Sequence, residues 1–179
     1  DAQRRIESIL NEKPFEKAKS PAVPKKNDIS FEHVSFTYKG GKVPALKDVS
    51  FQIKEGKTVA LVGPSGGGKT TAASLVPRFW DVDEGKVSIG GVDVRNMDER
   101  ELMNRVAFVF QDNHLFKTSI LENIRISKPS ASREEVLTAA KAAMCTDIID
   151  KLPNGMDTVV GTKGVYLSGG EIQRITLAR

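Results

Sequence analysis

From Ile29 to Tyr38 the chain alternates apolar and polar residues (ISFEHVSFTY), the pattern of a strand with one face on a core and the other in water. Gly40-Gly41 interrupts it, and a second such stretch runs over Leu46–Ile53, so the two predict an antiparallel pair. KTVALVG, 57–63, and VAFVF, 106–110, are instead continuous apolar runs, which predict strands buried on both faces. Between them the sequence predicts a helix from Lys69 to about Val76, stopped by Pro77, then strand, turn and strand over 83–94, and a helix over 98–105. Beyond Gln111 the character becomes helical: TSILENIR, then EVLTAAKAAM behind a Ser132–Glu135 capping box, then TDIIDKL ended by Asn154-Gly155. No strand is predicted between 111 and 165, and the chain returns toward the core at Leu167. Residues 1–13 read as a short helix with Ile6, Ile9 and Leu10 on one face. Residues 14–28, with Pro14, Pro21, Pro24, Lys17, Lys19, Lys25 and Lys26, read as a linker, so the folded domain is expected over 29–179. The fold class is α/β, with an N-terminal antiparallel β subdomain and a helical insertion over about 112–170.

A length of 179 residues suits one domain. With 39% hydrophobic and 28% charged residues the chain is globular rather than disordered. No secretory signal opens it and no run of about eighteen apolar residues occurs, so any membrane part must come from other polypeptide. Cys145, the single cysteine, allows no internal disulfide and agrees with a reducing compartment. The net charge of +4 is not gathered into a run of like charges and reads as a solvated surface, so no nucleic-acid partner is expected.

GPSGGGKT, 63–70, fits G-x-x-x-x-G-K-[ST] and stands between an apolar run and a helical stretch, the context in which this pattern makes a phosphate-binding loop. Gly66, Gly67 and Gly68 let the backbone wrap phosphate oxygens with successive N–H groups pointing inward. The helix starting near Lys69 adds the positive end of its dipole. Lys69 sets an ammonium against the β- and γ-phosphates, and Thr70 offers a hydroxyl to Mg²⁺, which favours oxygen. The plainer alternative is an ordinary glycine-rich turn with an exposed lysine. The loop alone leaves GTPases, kinases, helicases and transporters open, although no N-K-x-D for guanine occurs.

LSGGE, 167–171, followed by IQRITLAR, narrows the class. With the loop at 63–70 it resembles the ATP-binding cassette of ABC transporters, exporter branch, from about residue 29 to the end. That family's signature is LSGGQ, and Glu171 stands where Gln is usual. The resemblance implies a P-loop NTPase core binding ATP and Mg²⁺, and ATP hydrolysis coupled to transmembrane transport of a solute. It also implies that Ser168, Gly169, Gly170 and Glu171 cap ATP held by a second, facing nucleotide-binding domain, so that two domains sandwich the nucleotides. Physically, Ser168-Gly169-Gly170 opens a helix, which is itself an anion site. Tyr38 matches the aromatic that stacks on adenine, a contact worth about 1–3 kcal/mol per base. Gly63, Ser65, Gly66, Gly67, Gly68, Lys69, Thr70 and Thr71 match the nucleotide-binding loop. Gln111 resembles the glutamine that reaches Mg²⁺ and the attacking water, so Gln111 and Lys69 are the implied catalytic residues and Thr70 and Gln111 the implied metal ligands. DNHLFKTSILENI, 112–124, resembles the segment where the membrane domain docks, near Asn113, His114, Leu115 and Phe116.

Other positions are set aside. Asp112 precedes the signature, whereas the family's Mg²⁺-holding Asp follows it; His33 and His114 likewise precede the place of the switch His. Asp147 and Asp150, one turn apart, read as solvent-facing. Thr162 stands where exporters usually carry an acidic residue, and Tyr166 where a small polar residue is common. The family's buried strand ending in Asp, its catalytic Glu and its His lie beyond the signature and are not among residues 1–179, so the chain reads as a fragment with an exposed sheet edge that binds ATP and hydrolyses it poorly. A membrane domain is expected before Asp1, with residues 1–13 as its linker helix, and the cassette is expected at the cytoplasmic face of the membrane. The competing readings are a soluble ABC ATPase acting on DNA or ribosomes, which usually has tandem cassettes or a coiled-coil insertion, and a nucleotide-binding module without turnover.

Overall fold

The computed structural model describes residues 2–11, 14–161 and 165–179, so Thr162 lies outside the described residues. The chain divides into two compact units, Asp1–Ala107 and Phe108–Arg179.

The first unit opens with α1 (Ala2–Leu10), on which Ile6 and Leu10 are exposed. Its centre is an antiparallel sheet of β1 (Ile29–Phe36), β2 (Leu46–Ile53), β3 (Glu84–Ile89) and β4 (Val92–Asp93), in the order β2-β1-β3-β4. The predicted pairing of β1 with β2 forms, with Phe31 opposite Phe51 and their rings stacked at 4.4 Å. β1 also pairs with β3, Phe31 opposite Val87, so it is the middle strand and its inward residues Phe31, Val34 and Phe36 are buried. Leu75 of α2 (Lys69–Leu75) enters the same core with Val87, Ile89 and Leu102, the last from α3 (Glu99–Arg105). The β1 register shifts after Phe31, where His33 has φ 50. Gly85 faces this irregularity at φ +75, and a Cβ there would lie 2.2 Å from the Glu32 carbonyl oxygen, so only glycine fits.

Residues 14–28 contain no helix or strand, but they are held against the unit rather than extended into solvent. The Ala22 N–H donates to the Asn96 carbonyl at 2.8 Å, Pro24 is buried, and Asn27 bonds both Glu55 and Arg105. The Arg78 guanidinium lies 5.1 Å from the centre of the Phe15 ring and donates to the Glu16 carbonyl.

The apolar runs 57–63 and 106–110 are not strands, contrary to their pattern. Val59, Leu61 and Phe110 are half exposed and Val62 is 92% exposed. A strand needs a neighbouring strand to take up its N–H and C=O groups, and the sheet here ends at β2 on one edge and β4 on the other. An apolar run records a tendency toward burial and cannot supply the partner.

The second unit is helical, as its sequence predicts: α4 (Ile120–Arg125), α5 (Arg133–Ala142), α6 (Thr146–Ile149) and α7 (Gly169–Ala178). Among its described residues the only β contact is a single bridge between Ser119 and Val159. Ile120, Ile124, Val136, Ala140, Ile148 and Ile175 form its core. The Ser132–Glu135 capping box is present at the start of α5. Asp147 is exposed but does not simply face solvent: its carboxylate accepts both terminal nitrogens of Arg174, at 2.8 and 3.1 Å, because that pairing lets two charges share a planar geometry. Asn123, fully buried, clamps the turn before α4. Its side-chain oxygen accepts from the Phe116 N–H at 2.8 Å and from Arg179 at 3.2 Å, and its NH₂ donates to the Phe116 and Ser119 carbonyls, each at 3.0 Å.

Asn123→Ala leaves the Phe116 N–H without its partner, whereas the Phe116 and Ser119 carbonyls keep the Thr118 and Asn123 backbone N–H groups. Each orphaned group typically costs about 1–3 kcal/mol, so the urea unfolding midpoint of the second unit should fall by at least the equivalent of one such loss. A midpoint equal to the wild type would show that water replaces the clamp.

Candidate functional site

The first group of predicted site residues is assembled in the first unit. After Gly63-Pro64 the chain turns tightly, with the Gly67 N–H donating to the Pro64 carbonyl at 3.1 Å. Gly66 takes φ +78 with open space around it. Gly68 takes φ +77 as the residue before α2, and a Cβ there would lie 2.6 Å from the Ala45 carbonyl oxygen and 2.7 Å from Leu46 Cδ2. The loop is thus pressed onto the start of β2, which only glycine permits. The α2 helix begins at once, with the Ala72 N–H donating to Gly68 at 2.8 Å.

Lys69 Nζ donates to the carbonyls of Gly63 (3.0 Å) and Pro64 (2.7 Å), so its ammonium sits at the mouth of the loop rather than in bulk solvent. No acidic residue occupies the first turn of α2, so the dipole and Lys69 act with the same sign. Ser65 and Thr70 are exposed and Thr71 is buried. Glycine N–H groups, an ammonium and a helix start suit a polyphosphate, and the exposed Thr70 hydroxyl is a hard oxygen of the kind Mg²⁺ favours. Tyr38 stands two residues past β1, 39% exposed, with its hydroxyl 2.9 Å from Thr71 Oγ1. Trp80 packs edge-to-face on it with ring centres 5.2 Å apart. Neither the Thr71 bond nor Trp80 was predicted, because both join segments more than thirty residues apart with no motif to announce them.

The second group lies in the second unit. Ser168 is the N-cap of α7, and Ser168 and Glu171 form a reciprocal capping box. Glu171 Oε2 accepts from the Ser168 N–H at 2.7 Å and lies 2.8 Å from Ser168 Oγ, which accepts in turn from the Glu171 N–H at 3.4 Å. The backbone N–H of Ser168, followed by its hydroxyl, holds the Glu171 carboxyl below its usual pKa. Glu171 therefore belongs to the architecture of the helix start, a role legible from the same Ser-x-x-Glu spacing that identified α5. Gly169 and Gly170 are exposed with nothing near their missing Cβ positions. Arg174, one turn on, ties α7 to Asp147 and to the Met144 carbonyl.

Gln111, Asp112, Asn113 and His114 line a cleft of about 300 Å³ together with Gly169 and Ile172 of α7. The structure thus brings Gln111 beside the signature helix. Of the residues implied in docking, Leu115 packs against the helical core. Phe116 is 60% exposed, with the Arg179 guanidinium 5.7 Å from its ring centre.

The sequence matches the family model described as "ABC transporter" over residues 46–179. It is 50% identical over 151 residues to the putative multidrug export ATP-binding/permease protein YgaD of Bacillus subtilis (strain 168), a match covering 84% of this chain and 26% of that protein. It is 48% identical over 153 residues to the ATP-dependent lipid A-core flippase of Escherichia coli (strain K12), covering 85% of this chain and 26% of the flippase. The chain spans about a quarter of the length of these relatives. Among solved structures it is similar to a bacterial Atm1-family ABC exporter with ATP bound, with a TM-score of 0.86 and 37% identity over 99% of this chain and 31% of that one.

The caps give the second unit an acid dependence. Glu171 is lowered from 4.5, and Glu135 is lowered to about 2 by the Lys128 ammonium and then by the Ser132 N–H. A depressed carboxyl contributes stability that is fully present above its unfolded value and is lost as pH falls through its folded value. Unfolding by urea should therefore need progressively less denaturant from pH 4.5 down toward about 2. Glu171→Gln keeps an acceptor for the Ser168 N–H and should flatten part of that slope, and Glu135→Gln a further part, while Asp147 beside Arg174 and Asp157 beside Arg133, which are also lowered, keep the remainder. An unchanged slope in both variants would contradict the capping account.

Proposed function

The chain belongs to the ABC transporter family, and from that premise we propose that it holds Mg-ATP on residues 63–71 and uses it to drive transport of a solute across a membrane. The observation that carries this reading is the phosphate loop itself: left-handed Gly66 and Gly68, the Lys69 ammonium at the loop mouth, and a helix start without acidic residues. Tyr38 stacks the adenine. Thr70 would hold the Mg²⁺ that accompanies the phosphates. Ser168, Gly169, Gly170 and Glu171 serve nucleotide bound to a second copy of the domain, or to a related one, so that nucleotide closes a dimer and hydrolysis reopens it. The names of the relatives, an export ATP-binding/permease protein and a flippase, favour a membrane transporter over an ATPase acting on DNA or ribosomes. On this reading the domain works at the cytoplasmic face of the membrane, and the membrane domain docks near Asn113, His114, Leu115 and Phe116.

The exposed, self-capped start of α7 supports a role toward a partner. Ser168 Oγ already serves its own helix, while the N–H groups beside Gly169 and Gly170 stand at an open surface.

Lys69→Ala should abolish most Mg-ATP binding, because a charge-assisted contact to phosphate is lost. Ser168→Ala should leave the monomer's affinity nearly intact. Calorimetric titration of both variants is decisive: unchanged affinity in Lys69→Ala would defeat the phosphate-loop assignment, and a large loss in Ser168→Ala would defeat the partner role of the signature.

A polypeptide of residues 1–179 should bind ATP and release phosphate only near background. The family's catalytic Glu, Mg²⁺-holding Asp and switch His are not among those residues, and losing one such transition-state contact typically costs about 10²–10³ in rate. Phosphate release at saturating Mg-ATP, compared with a polypeptide extended through those motifs, measures it; comparable rates would show that the catalytic residues lie within 1–179.

A further inference from the structure

We propose that Thr71 is a positioning residue for the base, its hydroxyl fixing the ring of Tyr38 and so setting the adenine platform at a defined place relative to the phosphate loop. The inference rests on the reading of Tyr38 as the adenine-stacking residue.

Tyr38 lies beyond the last paired residue of β1, so no ladder bond fixes its backbone. Its carbonyl accepts from the Gly41 N–H at 2.8 Å, which makes a tight turn and leaves the ring to be placed by its own contacts. Phe36 packs edge-to-face against it at 4.9 Å and Trp80 at 5.2 Å. These apolar contacts limit its tilt but tolerate sliding. The directional contact is the bond of 2.9 Å between its hydroxyl and Thr71 Oγ1.

Thr71 is well suited to act as a fixed point. It is 7% exposed, and as a β-branched residue in a helix it has few side-chain rotamers. It directly follows Lys69 and Thr70 in the first turn of α2, so whatever it holds is registered to the phosphate-binding atoms. A hydroxyl donates one hydrogen bond and accepts two, so Thr71 can hold Tyr38 and still meet a phosphate oxygen. Stacking alone needs only an aromatic ring, which phenylalanine would provide. The phenolic hydroxyl adds placement: the ring is set before nucleotide arrives, and the ordering cost on binding is reduced.

The test is Mg-ATP titration of the 179-residue chain and of Tyr38→Phe, Thr71→Val, their double variant, Thr71→Ser and Tyr38→Ala. Loss of one hydrogen bond predicts about three- to tenfold weaker binding in Tyr38→Phe and in Thr71→Val. The double variant should be no weaker than Thr71→Val alone, because once the Thr71 hydroxyl is gone the Tyr38 hydroxyl has no bond left to lose. Thr71→Ser keeps the hydroxyl and should recover most of the affinity. Trp80 is the chain's one tryptophan, so its emission without ligand should shift alike in Tyr38→Phe and Thr71→Val. Additive losses in the double variant would overturn the proposal by showing that Thr71 and Tyr38 act separately. Wild-type binding by Tyr38→Phe and Thr71→Val beside weak binding by Tyr38→Ala would overturn the tether alone and leave adenine stacking standing. Wild-type binding by Tyr38→Ala would overturn adenine stacking and the tether together.

Discussion

At Gly68 the backbone passes so close to β2 that a single methyl group would meet the Ala45 carbonyl oxygen at 2.6 Å. That approach, made in a left-handed conformation open to glycine, fixes where the phosphate loop ends and α2 begins. The Lys69 ammonium returns to the loop carbonyls, Thr70 projects to solvent, and Thr71 turns inward to Tyr38 because the helix starts at this point and in this direction. A larger residue at 68 would shift the helix start, and each of these side chains would move with it. The loop is thus braced by the start of the strand beneath it.

A second helix start, in the other unit, obeys different local rules. Ser168 and Glu171 satisfy one another at the beginning of α7, and the carboxylate lies where the helix dipole favours negative charge. Arg174, paired with Asp147, holds the same helix to α6. α2 has no acid in its first turn and α7 has one. The first is arranged to receive a strongly charged anion, and the second is stable by itself with its glycine backbone open. This difference supports assigning the chain's own nucleotide to α2 and a partner's nucleotide to α7.

Local chemistry made much of this legible. β1 and β2 follow the alternation of their sequences closely, the capping box at Ser132 forms as its spacing requires, and the phosphate-loop pattern sits at the start of a helix. The failures share one cause. Residues 57–63 and 106–110 carry the apolar content of strands, yet strand formation depends on a partner's hydrogen-bonding groups, which apolar content does not encode. The Tyr38–Thr71 bond, the Asn123 clamp and the Arg174–Asp147 pair likewise join residues whose nearness is decided by packing. Glu171 is instructive in another way. Viewed as a departure from a family pattern it looks anomalous, whereas viewed as a Ser-x-x-Glu helix start it is an ordinary cap.

The central claim is that the chain binds its own nucleotide at residues 63–71 and not at the signature. Backbone amide shifts of the ¹⁵N-labelled chain, followed by NMR as Mg-ATP is added at a dilution that keeps it monomeric, test this directly. The account predicts large, saturable shifts at Gly66, Gly67, Gly68, Lys69, Thr70 and Thr71, with Tyr38 and Trp80 responding in parallel and Ser168 to Glu171 nearly still. Shifts centred on Gly169, Gly170 and the Gln111–His114 cleft, with the glycines of the phosphate loop unmoved, would contradict it.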